Sequence, residues 1–309
     1  MNLRFFLSSV LLTGLSSVAL AQQDVQFTQY YHNTIGFNPG VAGSNDAICL
    51  NIGNRSQWVG YEGAPVTQSL TIYSPLFNQK LGVGLTLLND KIGPTNKTNI
   101  YGDIAYRLKV SKKSTLSFGL KGGISLVQGS FNDLDINDNI DPTFQQNVSN
   151  EVIPNVGFGL FYSTPKYFIG MSSPRLLESY SRENTASDNN TKDVRHYFLV
   201  AGVNWQLNST LLFKPTTFVR AVVNAPVEFD LSALFEFNEN FWVGPMFRYG
   251  DSFGFLAGLY INQRLKAGYS YDYHFALKTG TYNGGSHEIV LKYDFVFKDK
   301  DKIRSPRYF

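Results

Sequence analysis

The run Phe241–Phe297 reads FWVGPMFRYG, DSFGFLAGLYIN, QRLKAGYSYDYH, a loop, then SHEIVLKYDFVF. Each segment alternates between two faces. Phe241, Val243, Phe247 and Tyr249 share one face, with Arg248 on the other. Phe253, Phe255, Ala257, Leu259 and Ile261 alternate with Gly254, Gly258 and Tyr260. Leu265, Ala267, Tyr269, Tyr271 and Tyr273 alternate with Lys266, Gly268, Ser270 and Asp272. Ile289, Leu291, Tyr293, Phe295 and Phe297 alternate with Glu288, Lys292 and Asp294. A period of two means strands, because successive side chains leave a strand on opposite faces. A soluble sandwich also alternates, but its outer face would carry many more charges. Here 17% of residues are charged and 15% are aromatic. That balance fits strands whose apolar face meets lipid and whose polar face lines a lumen.

The same pattern runs through most of the 309 residues, so the chain reads as all-β and one domain. Met1 to Ala21 reads as a signal peptide: Arg4 gives the positive start, Phe5–Leu15 the apolar core and Ala19-Leu20-Ala21 the cleavage site. Residues 22–46 form an N-terminal segment expected inside or just under the barrel. Residues 47–297 form the barrel, and 298–309 a tail. Strands are expected at 47–54, 66–74, 81–88, 98–110, 115–128, 153–163, 167–172, 194–208, 211–223 and 226–237, before the four closing strands. The total is about fourteen, an even number that closes an antiparallel transmembrane sheet without a free edge. Counting from a periplasmic start at residue 22, odd-to-even connections are mostly long and even-to-odd ones short. Long outside and short inside is the outer-membrane rule.

The net charge of +3 and pI near 8.7 are too mild for nucleic-acid binding, and the basic residues form no stripe. The lone Cys49 reads as a small apolar strand residue. There is no GxSxG, HExxH, CxxC or Walker loop, so the reading is non-enzymatic, with no cofactor. His287 and Glu288 are strand neighbours and point to opposite faces. The loop carrying Asp133, Asp135 and Asp138 has the oxygen spacing of a calcium loop. It lacks the glycine and the final glutamate of an EF-hand, so it reads as a solvated surface loop with no metal assigned. The ionisable residues expected to face inward are Asp103, Arg107, Lys109, Lys121, Arg220, Glu228, Asp230, Glu236, Arg248, Lys266, Asp272, Glu288, Lys292 and Asp294. Mixed signs suggest a lumenal salt-bridge network or a ligand path. On the lipid face, Leu231→Arg is expected to cost more than its lumenal neighbour, Ser232→Arg.

Several stretches carry a family resemblance: QFTQYYHNTIGFNPGVAGS, NRSQWVGYEGAPVTQSL, LGVGLTLLNDKIGPTNKTNIYGDIAYRL, WVGPMFRYGDSFGFLAGLYI, LKAGYSYDY and GSHEIVLKYDF. Together, in this order, they resemble the PorP/SprF family of Bacteroidetes outer-membrane proteins of the type IX secretion system. The resemblance implies a barrel related to long-chain fatty-acid transporters, and a role in secreting or anchoring large adhesins, as in gliding motility. Implied partners are cargo with a type IX C-terminal domain, periplasmic or peptidoglycan-associated secretion components, and outer-membrane lipid. The alternative is a transporter of a hydrophobic small molecule. Partner-binding candidates are Asn38, Pro39, Trp58, Asp133, Asp135, Asp138, Arg248, Asp272 and Glu288. The tail after Phe297 departs from a strand-ending aromatic terminus.

Overall fold

The computed structural model describes residues 25–45, 47–76, 79–130, 148–178, 180–181, 191–192, 194–223, 225–275 and 283–296. Two single-turn 3-10 helices, Thr34–Gly36 and Pro39–Val41, come first. The first seven strands are β1 (Ile48–Ser56), β2 (Val66–Leu76), β3 (Leu81–Ile92), β4 (Thr95–Ser111), β5 (Ser114–Gly129), β6 (Val148–Ser163) and β7 (Tyr167–Ser173). A two-residue ribbon, β8 (Tyr180–Ser181) with β9 (Thr191–Lys192), stands apart from them. Then come β10 (His196–Val203), β11 (Trp205–Gln206), β12 (Leu211–Val222), β13 (Glu228–Phe237), β14 (Phe241–Arg248), β15 (Ser252–Tyr260), β16 (Leu265–His274) and β17 (Ser286–Phe295).

β1–β7, β10 and β12–β17 form one closed antiparallel barrel of fourteen strands. Each strand pairs with its sequence neighbours in the ring. β1 joins β17 from Ile48↔Phe295 to Ser56↔His287, and β10 joins β12. β11 is a short stub past the break at Asn204 and also lies on β12. The strands are not equal in length. β4, β5 and β6 have 17, 16 and 16 residues, whereas β14–β17 have 8 to 10.

The period of two sorts the side chains as the sequence suggests. Leu120, Leu231, Phe255, Leu291 and Ile289 point out and are exposed. Lys121, Asp230, Arg248, Asp272 and Glu288 point in and are buried. Exposed apolar side chains on a closed barrel are the lipid-facing surface, not a flaw in packing. Aromatic residues gather at its two ends. Phe229 stacks on Tyr249, and Phe253 packs between Phe247 and Phe275, at the end with the long connections. Phe237 stacks on Phe241, and Tyr162 meets Tyr167, at the end with the short turns. Two such girdles mark the two interfaces of a bilayer.

Several boundaries move. β3 and β4 run through the expected 89–97 loop to a tight turn where Gly93 takes φ 53°. Thr67 Oγ1 donates to Asp90 at 2.5 Å, and Asn89 Nδ2 donates to Asn96 Oδ1 at 2.8 Å, so polar side chains there stabilise strand rather than loop. β1 extends through Arg55, which the sequence reading left in a loop. Lys109, expected inside, is exposed, because it lies beside the β4–β5 turn at the short-turn mouth of the barrel. Asp133, Asp135 and Asp138 lie outside the described residues, as does Phe297 with the tail.

Candidate functional site: a plugged lumen

The hydrophobic core of this barrel lies in its lumen, and the N-terminal segment supplies much of it. Tyr30, Tyr31, Ile35, Phe37, Val41 and Ala42 are buried against Phe161, Phe168, Phe198, Phe218, Trp242 and Leu256 of the wall. Gln29 and Asn38 are also fully buried. The segment runs the length of the lumen. Gln26 Nε2 donates to Glu228 Oε2 at 3.4 Å, and Glu228 opens β13 at the long-loop end. At the other end, Ala42 and Gly43 lie against Gly82 and Pro75, beside the β2–β3 turn. Strand parity still holds, because β1 starts at the short-turn end, but residue 25 sits in the long-loop half and not below the barrel.

Charge fixes the upper end of this plug. The Glu288 carboxylate accepts the backbone N–H groups of Thr28 (2.7 Å) and Gln29 (3.0 Å). Thr28 Oγ1 lies 2.5 Å from Asp272 Oδ2 and 2.7 Å from Arg55 Nη1. Arg55 in turn pairs with Asp272 at 2.8 Å and Glu288 at 3.3 Å. All three charged side chains are buried to 1% exposure or less. Such a group is stable only because each charge has both a counter-ion and hydrogen bonds. Beside it, Arg248 grips Asp230 through Nε (3.0 Å) and Nη2 (3.1 Å), and Arg220 reaches Asp230 (3.2 Å) and Glu228 (3.1 Å). Lys121 pairs with Asp103 at 2.8 Å and donates to the Ile35 carbonyl at 3.4 Å. Tyr30 Oη meets Thr216 (2.9 Å) and Ser232 (3.2 Å), and burial pushes its hydroxyl up to about 12.

Shape fixes the lower end. Asn38 caps the second 3-10 turn: its Oδ1 accepts from Gly40 N at 2.9 Å, and its Nδ2 donates to the Leu160 carbonyl at 3.0 Å. The wall facing Asn38–Gly43 is made of glycines. A Cβ at Gly119 would overlap Gly40 and Pro39, one at Gly159 would overlap Asn38, and one at Gly82 would overlap the Ala42 carbonyl. Gly43 itself has φ 71° and lies against Gly82. Bare backbone on both sides is what lets the turn seat so closely.

Of the sequence candidates, Arg248, Asp272 and Glu288 belong to the charged group, and Asn38 and Pro39 to the glycine-lined seat. Trp58 is elsewhere. Its backbone N–H donates to Ser286 Oγ at 3.2 Å, and its loop pairs with the last hairpin through Val59 and Gly285 at 2.9 Å. Arg55 and Lys214 are the functional side chains missed from the sequence. Lys214 sits one residue before Pro215 and pairs with Glu236 at 2.5 Å. His287 and Glu288 do face apart: His287 hydrogen-bonds the exposed Tyr269 (2.7 Å) while Glu288 is buried.

Two open chambers flank the plug. The outer one, about 90 Å³, is lined by Phe27, Tyr30, Phe37, Phe198 and Phe218, with Lys97, Lys121 and Arg175 among its polar lining. The inner one, about 20 Å³ and so room for about one water, is lined by Tyr31, His32, Phe168, Trp242 and Tyr260, with Lys214 and Glu236. Among the described residues, no group of histidine, cysteine and acidic side chains is arranged to hold a metal.

A closed barrel with lipid-facing strands, two aromatic girdles and a lumen filled by its own N-terminal segment is a plugged outer-membrane β-barrel. Residues 19–293 match the family model for the type IX secretion system membrane protein PorP/SprF, and the chain belongs to that family. No curated protein matches the sequence. Among solved structures, the chain is similar to the CymD monoaromatic hydrocarbon channel, with TM-score 0.51 and 11% identity over 86% of this chain and 93% of that one. It is also similar to the Ralstonia pickettii toluene transporter TbuX, with TM-score 0.49 and 11% identity over 84% and 92%. At 11% identity the likeness to CymD speaks for the fold alone.

Proposed function

We propose that the protein is a non-enzymatic barrel of the type IX secretion system that supports the secretion or surface anchoring of proteins bearing a type IX C-terminal domain, such as large adhesins. One observation carries this reading beyond the family: the lumen is occupied by a segment tied to the wall by fully buried charges. A barrel filled in this way suits a docking platform better than an open pore. Export through a signal peptide cleaved after Ala21 would leave a mature chain that begins just before the plug. The short-turn end then faces the periplasm, where secretion components would dock, and the long connections face the cell surface, where cargo would be held. The test is deletion of residues 133–145 from the connection between β5 and β6. Adhesin should appear in the medium while barrel abundance is unchanged. Full retention of surface adhesin would move the anchoring role away from this loop.

A second reading, passage of a hydrophobic small molecule, is favoured by the aromatic lining of the outer chamber. Uptake of a labelled fatty acid or aromatic hydrocarbon into cells would distinguish it. Loss of uptake on deleting the gene, with adhesins still anchored, would select transport over docking.

A further inference from the structure

The short-turn rim carries an uneven charge that neither reading uses. The turns β2–β3, β4–β5 and β6–β7 hold Lys80, Lys112, Lys113 and Lys166, all exposed. Lys109 is exposed beside them on the lumenal side, and Arg107 Nη1 donates to the Gln79 carbonyl at 3.3 Å. Residues 76–82, 104–118 and 159–169 contain no aspartate or glutamate. Among the described residues, none of these five lysines is paired with a carboxylate. The three remaining short turns, at 204–210, 238–240 and 261–264, carry one acid and one base, Glu239 and Arg264. The positive charge therefore sits on one half of the rim.

Strand register gathers these lysines. Arg107 N donates to the Lys80 carbonyl at 2.7 Å, which sets the β2–β3 turn against β4. Lys109 stands opposite Thr115, and Thr115 opposite Ser163, so one row crosses β4, β5 and β6 beside their turns. With neighbouring strands about 5 Å apart, the arc from the first turn to the third is about 20 Å wide. Depth decides what meets it. Tyr106, Leu108 and Val110 on β4 and Tyr167 on β7 point outward and are exposed, so the lipid-facing band reaches to the edge of the β4–β5 turn. That turn has only Lys112 and Lys113 between its two strands. It lies flush with the aromatic girdle, at headgroup level. A lysine stem at this depth can cover apolar surface while its ammonium group meets the headgroups.

We propose that this half of the short-turn rim binds anionic phospholipid headgroups, so that the barrel gathers lipids of the phosphatidylglycerol type against β2–β7 and not against β13–β16. Turns flush with the bilayer surface present ammonium groups to lipid phosphates, whereas an acidic protein would find no projecting loop to grip. The proposal needs only the lipid-facing orientation of the strands and does not rest on the anchoring role.

The experiment uses the full barrel in phosphatidylcholine bilayers containing a rising share of brominated phosphatidylglycerol, with brominated phosphatidylcholine as the reference. Bromine quenches a tryptophan that it touches. Trp205→Phe removes the exposed native tryptophan at this end, and Val110→Trp places a reporter beside the lysines. Ile261→Trp, comparably exposed on the far side of the rim, serves as the comparison. Trp58 and Trp242 lie in the β1–β2 loop and in the lumen, away from the lipid face. Phosphatidylglycerol should quench the Val110→Trp reporter with at least about fivefold higher affinity than phosphatidylcholine, the gain expected for one lysine near a headgroup. The preference should fall as salt rises. At Ile261→Trp the two lipids should differ by less than about twofold, because Glu239 and Arg264 offset each other there. Lys112→Gln with Lys113→Gln should remove the preference. Lys80→Gln with Lys166→Gln takes their place if that pair does not give a heat-modifiable folded barrel. Equal quenching by both lipids, the same preference at both reporters, or a preference unchanged by the lysine variants would overturn the proposal. So would displacement by inorganic phosphate at constant ionic strength, which would show a site for a free anion. Crosslinks to a periplasmic protein that vanish in the lysine variants, with no lipid preference, would assign the rim to an acidic partner instead.

Discussion

The contact of Thr28 and Gln29 with Arg55, Asp272 and Glu288 and the contact of Asn38–Gly43 with Gly82, Gly119 and Gly159 hold the same segment toward its two ends, on different arcs of the ring. The first is built from long charged side chains that reach inward. The second is built from the absence of side chains. The charged contact has direction and counter-charges, so it responds to protonation and to loss of a partner. The glycine contact has only shape, so it responds to added volume and to nothing in the solvent. A plug held by both is positioned by one surface and made conditional by the other.

Breaking the charged contact should have the largest effect. Arg55→Ala leaves Asp272 and Glu288 buried without their main counter-ion, a loss of about 3–5 kcal/mol for a buried pair deprived of one partner. Urea unfolding in detergent, with chymotrypsin cleavage at Phe27, Tyr30 or Tyr31 as a second readout, measures it. An unchanged midpoint would mean that water already reaches this cluster.

Gly119→Val tests the other side. Overpacking there should cost about 1–3 kcal/mol, and the cost should not vary with pH or salt. If the plug tolerates valine with native protease resistance, the turn is not seated as closely as the backbone approach indicates. On the barrel's outer surface, Leu231→Arg should cost about 2–4 kcal/mol at mid-membrane depth. The neighbouring Ser232→Arg should be no milder, a revision of the sequence expectation. Ser232 is buried against Thr216 (2.5 Å) and Tyr30 (3.2 Å), so the lumen has no room for the larger side chain.

Acid separates the two contacts further. His32 has a folded-state pKa well below its unfolded value near 6.5, with burial the leading cause. Above pH 6.5 neither state binds the proton, and His32 has no effect. Below it the unfolded chain takes up a proton that the folded chain refuses. Stability should therefore fall by about 1.4 kcal/mol per pH unit until the folded pKa is reached. The slope between pH 6.5 and 5 should be shallower in His32→Phe, and equal slopes would place the titration elsewhere. Asp251, in the β14–β15 turn, works in the same sense at lower pH. Burial alone would raise its carboxyl, but the hydrogen bond with His274 and the Arg248 charge outweigh that and bring it down to about 2. Its contribution is present above pH 4 and is lost progressively as the pH falls toward 2.

The smallest effect belongs to Lys214→Met. Its partner Glu236 is near the short-turn mouth and both side chains keep some exposure, 13% and 8%. A partly hydrated pair of this kind should contribute about 0–1 kcal/mol. A much larger loss would show that the inner chamber is drier than this exposure suggests.

The barrel was legible in the sequence because lipid imposes a strict alternation, and the alternation extends over the whole ring. Arg248, Asp272 and Glu288 were legible because each sits on the polar side of an otherwise apolar strand. Arg55 was not. Its strand ends in Asn54, Arg55 and Ser56, where the outward positions rise past the apolar band and lose the signal. Lys214 was hidden by the following proline, which reads as a break, though Pro215 pairs within β12–β13. The glycine seat was visible as residues but not as a site. Gly82, Gly119 and Gly159 look like ordinary polar-face positions of a strand until the segment they receive is placed against them. That pairing joins positions far apart in sequence, and no local pattern records it.

The plug enters the lumen near the long-loop mouth and leaves it at the other, where β1 begins, so the ring is closed around its own leading chain. A ring cannot be threaded easily once shut. Residues 28–44 must therefore be in place before β1 meets β17, or the free N-terminus must be drawn through afterwards. Glu288, which receives the backbone of Thr28 and Gln29, lies on β17, the last strand to be made. Glu288 also pairs across that seam with Arg55 of β1, so one side chain links the sealing of the barrel to the capture of its lining strap.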